Sequence, residues 1–397
     1  MPLAGLTGCD QGKPHDQVTV GPPVHLVTAN VGKDANGKDQ PFPTDGVLRL
    51  AFDRLLLPLT VTRQTVVLRD ASGNPASVPI VDYDPVARTV SISNPDPTNP
   101  DPTKCWLLAK QPYTIRLGIP SGADDDLGGI RAIDRATLDP TQPLEIGFMT
   151  SATPCGGTVP PPQMNFCVDV LPMFQSKCSA PQCHGSPQNI GAKSATFPDG
   201  YSRPAMGLVL DNSVGFQATA VGRVAEGSNT GARAGLGSPP SHLFGVDMPI
   251  VDPGDPGNSW LLYKLLLAPP PTYGDGGDPN VPPTTCAGVT TAGPFPIKIA
   301  VPPLSNDERA RLSDYVLGRE MPYPTLPGSG DPAPVTETTD NPPLSFDELE
   351  KVRAWILGMV GSGVVDCSAC TGAPIGDAGG PPPADAGGDA PTDAPKG

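Results

Sequence analysis

Basic residues are scarce in this sequence. Lys and Arg number 26 against 41 Asp and Glu, so the 397-residue chain carries a formal net charge of −15. A chain this acidic is repelled by nucleic-acid phosphates and by anionic bilayers. The charge balance therefore excludes nucleic acid as a default partner and gives no electrostatic route to a membrane surface.

Long apolar runs are also missing. No stretch reaches the length of about 18 apolar residues that a membrane-spanning helix needs, so we expect no transmembrane segment. By contrast, 55 Pro and 46 Gly make up a quarter of the chain. Because Pro removes a backbone donor and Gly costs conformational entropy, we expect loops and short strands to predominate over long regular elements.

Cysteine is abundant for a chain of this kind. Nine thiols would be a heavy load in a reducing cytosol, whereas an exported protein can pair them. We therefore predict an extracytoplasmic location. The cysteines are Cys9, Cys105, Cys155, Cys167, Cys178, Cys183, Cys286, Cys367 and Cys370.

The segment Leu6-Thr7-Gly8-Cys9 resembles the lipobox of bacterial lipoproteins, in which the cysteine carries a diacylglyceryl group. Only the eight residues Met1 to Gly8 precede Cys9, without the basic and apolar regions of a full signal. The resemblance implies lipidation of Cys9, and this anchor would be the protein's only attachment to a bacterial membrane, on the periplasmic side or at the cell surface. The alternative is a trimmed secretory or ordinary N-terminus.

Composition and periodicity divide the chain into five regions. Residues 1–22 are predicted as the lipobox and a tether, and residues 23–152 as an all-β sandwich. A Pro/Gly-rich linker at 153–163 leads to a mostly α-helical domain with long loops at 164–371. Residues 372–397 contain almost only Ala, Asp, Gly and Pro, and are predicted to be disordered because they cannot bury a core.

Alternating apolar residues predict about seven short strands in the β region. Examples are Val47 to Asp53, the hairpin around Asp84 to Arg88, and the alternation from Tyr113 to Ile119. The segments VDYDPVARTVSIS, QPYTIRLGIPSGADDDLGG and LEIGFMTS resemble the bacterial Ig-like domain of S-layer and other surface proteins. This resemblance implies a sandwich that serves as a spacer or protein-contact module, which a bridge from Cys105 to Cys155 would tie together.

Helical signals begin after the linker. An amphipathic pattern places Val168, Leu171, Phe174 and Gln175 on one face of a helix that ends at Lys177. Further on, residues 258–267 predict a second helix. The S-x-x-E segments that start at Ser305 and Ser345 are capping boxes, and each predicts the beginning of a helix.

A cysteine pair next to a histidine follows the first predicted helix. In a c-type haem site, C-x-x-C-H supplies two thiols that bond to the porphyrin and a histidine that ligates the iron. Here Cys178, Cys183 and His184 have the longer spacing C-x4-C-H, so the two extra residues would have to bulge outward. The alternative is a local disulfide between the two cysteines, with His184 a surface residue.

The surrounding segments, in order, resemble the cytochrome c domains of large exported bacterial proteins. They are FCVDVLPMFQSKC, VDPGDPGNSWLLYKLL, MPYP and LSFDELEKVRAWILGMV, which span residues 164–363 with long insertions. The resemblance implies one covalent haem c, held by thioethers to Cys178 and Cys183 and by His184 on the iron. It also implies that the first and last helices cross beside the haem.

A methionine is the second axial ligand in that family. Met321 matches its position, and Met248, which also precedes a proline, is the rival. Another methionine or an open sixth position is the remaining alternative. The other histidines, His15, His25 and His242, are predicted to be solvated loop residues.

One lipidated cysteine and two thioethers would leave six cysteines for three disulfides. Besides the bridge in the β region, Cys367 has two alternatives: a local bridge to Cys370, or a pairing that draws on Cys167 and Cys286.

These patterns predict an exported mono-haem cytochrome on an Ig-like spacer. It would transfer electrons to and from a redox partner that the sequence does not identify, and it would form no bond to a substrate. A haem enzyme with an open iron site is a minor alternative. The competing hypothesis from another class is a cell-surface adhesion or scaffold lipoprotein without haem, in which the cysteines form structural disulfides.

Overall fold

The computed structural model describes residues 20–33, 39–76, 78–94, 105–122, 128–152, 164–179, 183–187, 204–225, 244, 247–268, 304–316, 321, 343–359 and 367. The predicted linker and tail, Cys9, and all of the tether before residue 20 lie outside these ranges. Within them the fold is β-rich, as predicted, with the strands before residue 152 and the α-helices after residue 164. We call residues 20–152 the β part and residues 164–367 the helical part.

The described residues of the β part form nine strands. They are β1 (Leu26–Ala29), β2 (Gly32–Lys33), β3 (Asp39–Gln40), β4 (Leu48–Phe52), β5 (Val66–Arg69), β6 (Ile80–Asp84), β7 (Thr89–Ser93), β8 (Pro112–Leu117) and β9 (Glu145–Met149). All pairings are antiparallel. The sheets have the strand orders β1-β4-β7-β6, β5-β8-β9 and β2-β3.

Side-chain alternation decides which face of each strand is buried. In β4, Leu48, Leu50 and Phe52 are buried while Arg49 is exposed, and β8 follows the same rule. Successive side chains of a strand point to opposite faces, so this pattern is the expected one for a sheet with one covered face. The prediction that the alternation continues to Ile119 is wrong, because Ile119 lies beyond the end of β8 and is exposed.

The hairpin between β6 and β7 forms where the sequence predicts it. One side-chain oxygen of Asp84, Oδ1, accepts the backbone N–H groups of Val86 and Ala87, each at 3.0 Å. This local bonding of an aspartate to residues two and three positions on is typical of a tight turn. Arg88 completes the turn with a positive φ of 48° and is buried.

Five α-helices are present in the described residues of the helical part. They are α1 (Leu171–Lys177), α2 (Ser213–Thr219), α3 (Trp260–Leu266), α4 (Asn306–Tyr315) and α5 (Phe346–Gly358), and a π-helical turn (Phe166–Val170) precedes α1. The predicted capping boxes at Ser305 and Ser345 are both formed, at the starts of α4 and α5. The sequence did not predict α2. None of the described helices has the length and apolar character needed to cross a bilayer.

Four aromatic side chains join the first and last helices. The ring of Phe166 lies 4.9 Å from that of Trp355 in α5, and the ring of Phe174 in α1 stacks on Phe216 in α2 at 5.7 Å. Phe216 also contacts Trp355, at 5.4 Å. Aromatic pairs at these separations stabilise a core beyond the area that they bury. We call these four residues the aromatic cluster; it packs the segment before Cys178 against α5.

Candidate functional site

The Cys-x4-Cys-His motif begins at the end of α1. Cys178 is the C-cap of the helix, and its backbone N–H donates to Phe174 O at 2.8 Å. The chain then returns, because the backbone N–H of His184 donates to Cys178 O at 3.1 Å. This bond fixes the histidine backbone beside the first cysteine, although five residues separate them in sequence.

The described cysteines fall into two groups. Cys178 and Cys183 lie outside any disulfide, so the local bridge that the sequence left open is not formed. Cys167 pairs with Cys367, with Cα atoms 5.6 Å apart. Cys367 is therefore not bridged to Cys370, and the alternative that draws on Cys167 is the one that is formed. Cys105 is also disulfide-bonded. Cys9, Cys155, Cys286 and Cys370 lie outside the described residues.

The thiol of Cys178 is held in its protonated form. The side chain is buried, and this burial, together with the nearby Cys183, raises the pKa of Cys178 to about 12. Reactive cysteines of thiol oxidoreductases have a lowered pKa, since the thiolate is the nucleophile. Cys178 therefore lacks the electrostatics of the attacking thiol in a disulfide-exchange site.

His184 is a neutral imidazole with a fixed orientation. Its Nδ1 lies 3.3 Å from Leu208 O, and the backbone of Ala205 also bonds to the ring. Because a carbonyl only accepts, we assign the proton of the neutral ring to Nδ1. Nε2 then keeps its lone pair, which is the form in which histidine binds a metal. Burial lowers the pKa of His184 to about 4, and the positive charge of Lys264 acts in the same direction.

A second segment holds the motif in place. The backbone of residues 183–186 is bonded to residues 205–211: Leu210 N–H donates to His184 O at 2.7 Å. Ser186 binds the carboxylate of Asp211 through both its backbone N–H and its hydroxyl, each at 2.6 Å. Asn212 then caps α2 by accepting from Gly215 N at 2.7 Å. The motif is thus fixed on one side by α1 and on the other by the segment that leads into α2.

The two candidate methionines differ in their surroundings. Met248 is fully buried, and its carbonyl accepts the N–H of Ala225 at 3.0 Å. Met321 is half-buried and packs against the hydrophobic core. In the described part of the chain neither sulfur is hydrogen-bonded to His184, so the choice between them stays a prediction.

Two polar residues of α3 lie in the interior near His184. The Lys264 ammonium lies 5.6 Å from the centre of the Trp260 ring, and both side chains are buried. Lys264 is also close enough to His184 to act on its pKa. The indole Nε1 of Trp260 is buried without a hydrogen-bond partner among the described atoms. An unpaired buried donor is costly, so this N–H is suited to an acceptor that the chain itself does not supply.

Sequence reasoning found the three motif residues but missed these supporting groups. The i,i+4 spacing of Trp260 and Lys264 on one helix was a usable signal for them, because it places both on the same face. The Leu208 carbonyl has no signal in the sequence, since any residue supplies a backbone carbonyl. His25, predicted to be a solvated loop residue, is indeed partly exposed, but it is bonded to Asp53 and Asp139.

Comparisons with known proteins add little. No protein-family model and no curated protein matches the chain. A solved structure of the surface layer protein SbsC, domains 1–6, is similar over 32% of this chain and 14% of that chain, with 8% sequence identity and a TM-score of 0.21. A likeness at this TM-score does not define a shared fold.

Proposed function

We propose that this protein is an exported mono-haem c-type cytochrome that transfers electrons. Cys178 and Cys183 would hold the haem by two thioether bonds, and His184 would ligate its iron. The observation that carries the proposal is the pair of cysteines outside any disulfide, beside a half-buried neutral histidine, in a chain whose other described cysteines are disulfide-bonded.

The donor set suits a haem of this type. Thioether formation needs reduced thiols rather than a disulfide, and Cys178 and Cys183 meet that condition because neither is disulfide-bonded. The bond from His184 Nδ1 to Leu208 O leaves Nε2 as the ligand atom and fixes the ring plane. Such an outer hydrogen bond raises the basicity of a ligating histidine and sets its tautomer.

The unpaired indole N–H of Trp260 in α3 also fits a haem. A haem carries two carboxylates, and an anionic acceptor would satisfy Trp260 Nε1 while facing the positive charge of Lys264. A charge-assisted bond of this kind is stronger than one between neutral groups. Both Trp260 and Lys264 in α3 and the Cys178–His184 motif thus fit a bound haem.

Bound haem would supply a one-electron couple that operates without a bond to substrate. The residues around it exclude water: Phe174, Phe216 and Trp355 pack beside the motif and are buried. A methionine sulfur as second axial ligand would favour the reduced iron. We assign this role to Met321, with Met248 as the rival.

The β part would display this electron carrier at the cell surface or in the periplasm. Its seven longer strands, counted in chain order, lie in the orders first-second-fifth-fourth and third-sixth-seventh. This arrangement is that of the immunoglobulin constant-type sandwich, which supports the Ig-like assignment. Lipidation of Cys9 would attach the chain to a membrane, and a second redox protein would be its partner.

Intact mass and visible spectroscopy test the proposal. The chain would be expressed with an export signal and a system that attaches haem to exported proteins, as wild type and as Cys178→Ala, Cys183→Ala and the double variant. We expect wild type to gain the mass of one haem, to keep its colour after denaturation, and to show a reduced-minus-oxidised α band. The double variant should lose the covalent group, and each single variant should retain one thioether at reduced yield.

The disulfide variant Cys167→Ala/Cys367→Ala is the matched control, since it removes two sulfurs outside the motif. It should keep the haem mass if it folds. A wild-type protein that is colourless under these conditions and has the mass of the bare chain would overturn the proposal and leave the surface-scaffold alternative.

A further inference from the structure

Three consecutive leucines of the β part are fully buried. Alternation in a strand with one covered face would expose at least one of Leu55, Leu56 and Leu57, yet each has no exposed surface. They are covered from two directions. Residues 131–133 pair with them on one side, and on the other Glu308 of α4 accepts the Leu55 N–H through Oε1 at 2.9 Å.

Polar contacts from α4 reach further into the β part. The Glu308 carboxylate lies 3.8 Å from Arg54 Nε, and Arg54 in turn pairs with Asp134. At the other end of the helix, the Tyr315 hydroxyl donates to Ile133 O at 3.0 Å. All these side chains are buried, so each charged group depends on its partner. For α4, those partners lie in the β part.

Helix α5 also makes an ionic contact with the β part, in addition to the contact made by α4. Arg353 Nη1 lies 2.9 Å from Asp84 Oδ2 at the end of β6, and Nη2 lies 2.8 Å from Glu350 Oε2 on the same helix. Two residues after Arg353, Trp355 packs on Phe166 in the aromatic cluster. The same helix therefore contacts both the β part and the segment that leads into the Cys178 motif.

The entry to α3 is pressed against β6. A Cβ at Gly257 would lie 2.5 Å from Tyr83 O, so no side chain fits at that position. The Tyr83 hydroxyl accepts the N–H of Leu56 at 2.9 Å. Tyr83 thus links the leucine segment to the turn before α3, and the buried apolar side chains of the two parts form one continuous cluster.

We propose that the β part covers buried residues of the helical part, and that the two parts unfold as one cooperative unit with α5 as the shared element. The alternative is a spacer joined to an independent domain by its linker. The contacts that carry the proposal, which we call the junction, are Leu55–Glu308, Ile133–Tyr315, Asp84–Arg353 and Tyr83–Gly257.

Hydrogen exchange of the full-length protein, read by mass spectrometry, tests the junction. Asp84→Asn keeps an Oδ1 that can accept from Val86 and Ala87, so the hairpin is preserved, but it removes the charge that faces Arg353. The companion variant, Glu350→Gln, changes the other partner of Arg353, which lies within α5. Loss of one partner from a buried ion pair is expected to speed exchange through shared openings by about a hundredfold.

For Asp84→Asn we expect this acceleration in β6 and β7, in α5 and also in α1. Glu350→Gln weakens α5 from within and should accelerate exchange in the same elements, because a single cooperative unit opens as a whole whichever part is weakened. Faster exchange confined to the β6–β7 hairpin would overturn the proposal, because the helical part would then be independent of its neighbour.

A second measurement covers the case in which Asp84→Asn does not fold. In wild type under sub-denaturing urea, the slowest amides of β4 and of α5 should exchange through the same opening reaction. The free energy of that opening and its dependence on urea concentration should then be the same for both elements. Two separate openings would contradict the proposal. Hydrogen exchange can be measured equally well on a protein without haem, and intact mass shows whether the same samples carry haem. A failure of the electron-transfer proposal is therefore distinguished from a failure of this one.

Discussion

Lys177 Nζ lies 2.7 Å from Glu348 Oε2, which pairs the residue before Cys178 with the first turn of α5. The same Glu348 oxygen accepts the backbone N–H of Ser345 at 2.7 Å and so completes the capping box of α5. One carboxylate therefore stabilises the start of the last helix and holds it against the end of the first. The ion pair with Lys177 and the cap on α5 are two separate contributions of Glu348 to stability, and substitutions can measure each of them.

Glu348→Ala removes the ion pair and half of the capping box together, whereas Lys177→Met removes the ion pair and the hydrogen bond to Pro343 O but leaves the capping box intact. A partly exposed pair contributes at most about 1 kcal/mol, and a lost cap costs about 1 kcal/mol more. We expect the free energy of unfolding to fall by about 2 kcal/mol in Glu348→Ala and by less than about 1 kcal/mol in Lys177→Met. Urea unfolding followed by circular dichroism measures both, and equal losses would contradict the dual role of Glu348.

The Cys167–Cys367 disulfide closes a loop across nearly the whole helical part. The two residues are 200 positions apart in sequence, and a cross-link constrains the unfolded chain more as the loop grows. We expect the double variant Cys167→Ala/Cys367→Ala to lose up to about 5 kcal/mol of unfolding free energy, the chain-entropy limit for such a loop. The free energy of unfolding should fall at least as far when wild type is reduced, since reduction also opens the disulfide of Cys105. A reduced wild type as stable as the oxidised protein would refute the prediction.

Features set by neighbouring residues could be predicted from the sequence. The capping boxes at Ser305 and Ser345 need only a serine and a glutamate three positions on, and both are formed. The turn after Asp84 is equally local, since its side chain bonds to the next few residues. The Cys178, Cys183 and His184 cluster could be named for the same reason, because the motif is contiguous.

Features that depend on distant packing could not be predicted. Helix α2 contains Gly215, a poor helix former, and a Cβ there would collide with the Val209 side chain. The helix is stabilised instead by the burial of Phe216 against Phe174, which no local pattern indicates. The burial of all three leucines from Leu55 to Leu57 likewise needs α4, more than two hundred and forty residues later.

The second axial ligand can be assigned by substitution. In a protein that carries haem, Met321→Ala should remove the low-spin spectrum and lower the reduction potential, because a thioether ligand raises it. Met248→Ala should leave the spectrum unchanged and instead cost about 2–5 kcal/mol of stability, since it opens a cavity at a fully buried position. Visible spectra and urea unfolding of the two variants compare these outcomes. The reverse pattern would transfer the ligand role to Met248.

His25 holds the start of β1 to two carboxylates. Its Nδ1 lies 2.9 Å from Asp53 Oδ2 and its Nε2 lies 3.1 Å from Asp139 Oδ2. Both ring nitrogens can donate only when the imidazole is protonated. The hydrogen bond to Asp53, with a further contribution from Asp139, raises the pKa of His25 above its ordinary value of 6.5.

A raised pKa in the folded state makes the stability contribution of His25 complete below 6.5 and removes it as the pH rises through the folded-state pKa. We therefore expect wild type to exceed His25→Gln in unfolding free energy most strongly near about pH 5, and the difference to shrink steadily toward about pH 9. Other buried carboxyls titrate equally in both proteins, so subtracting the two urea-unfolding profiles isolates His25. A difference that stays constant or grows with pH would show that the imidazolium is not what ties β1 to Asp53 and Asp139.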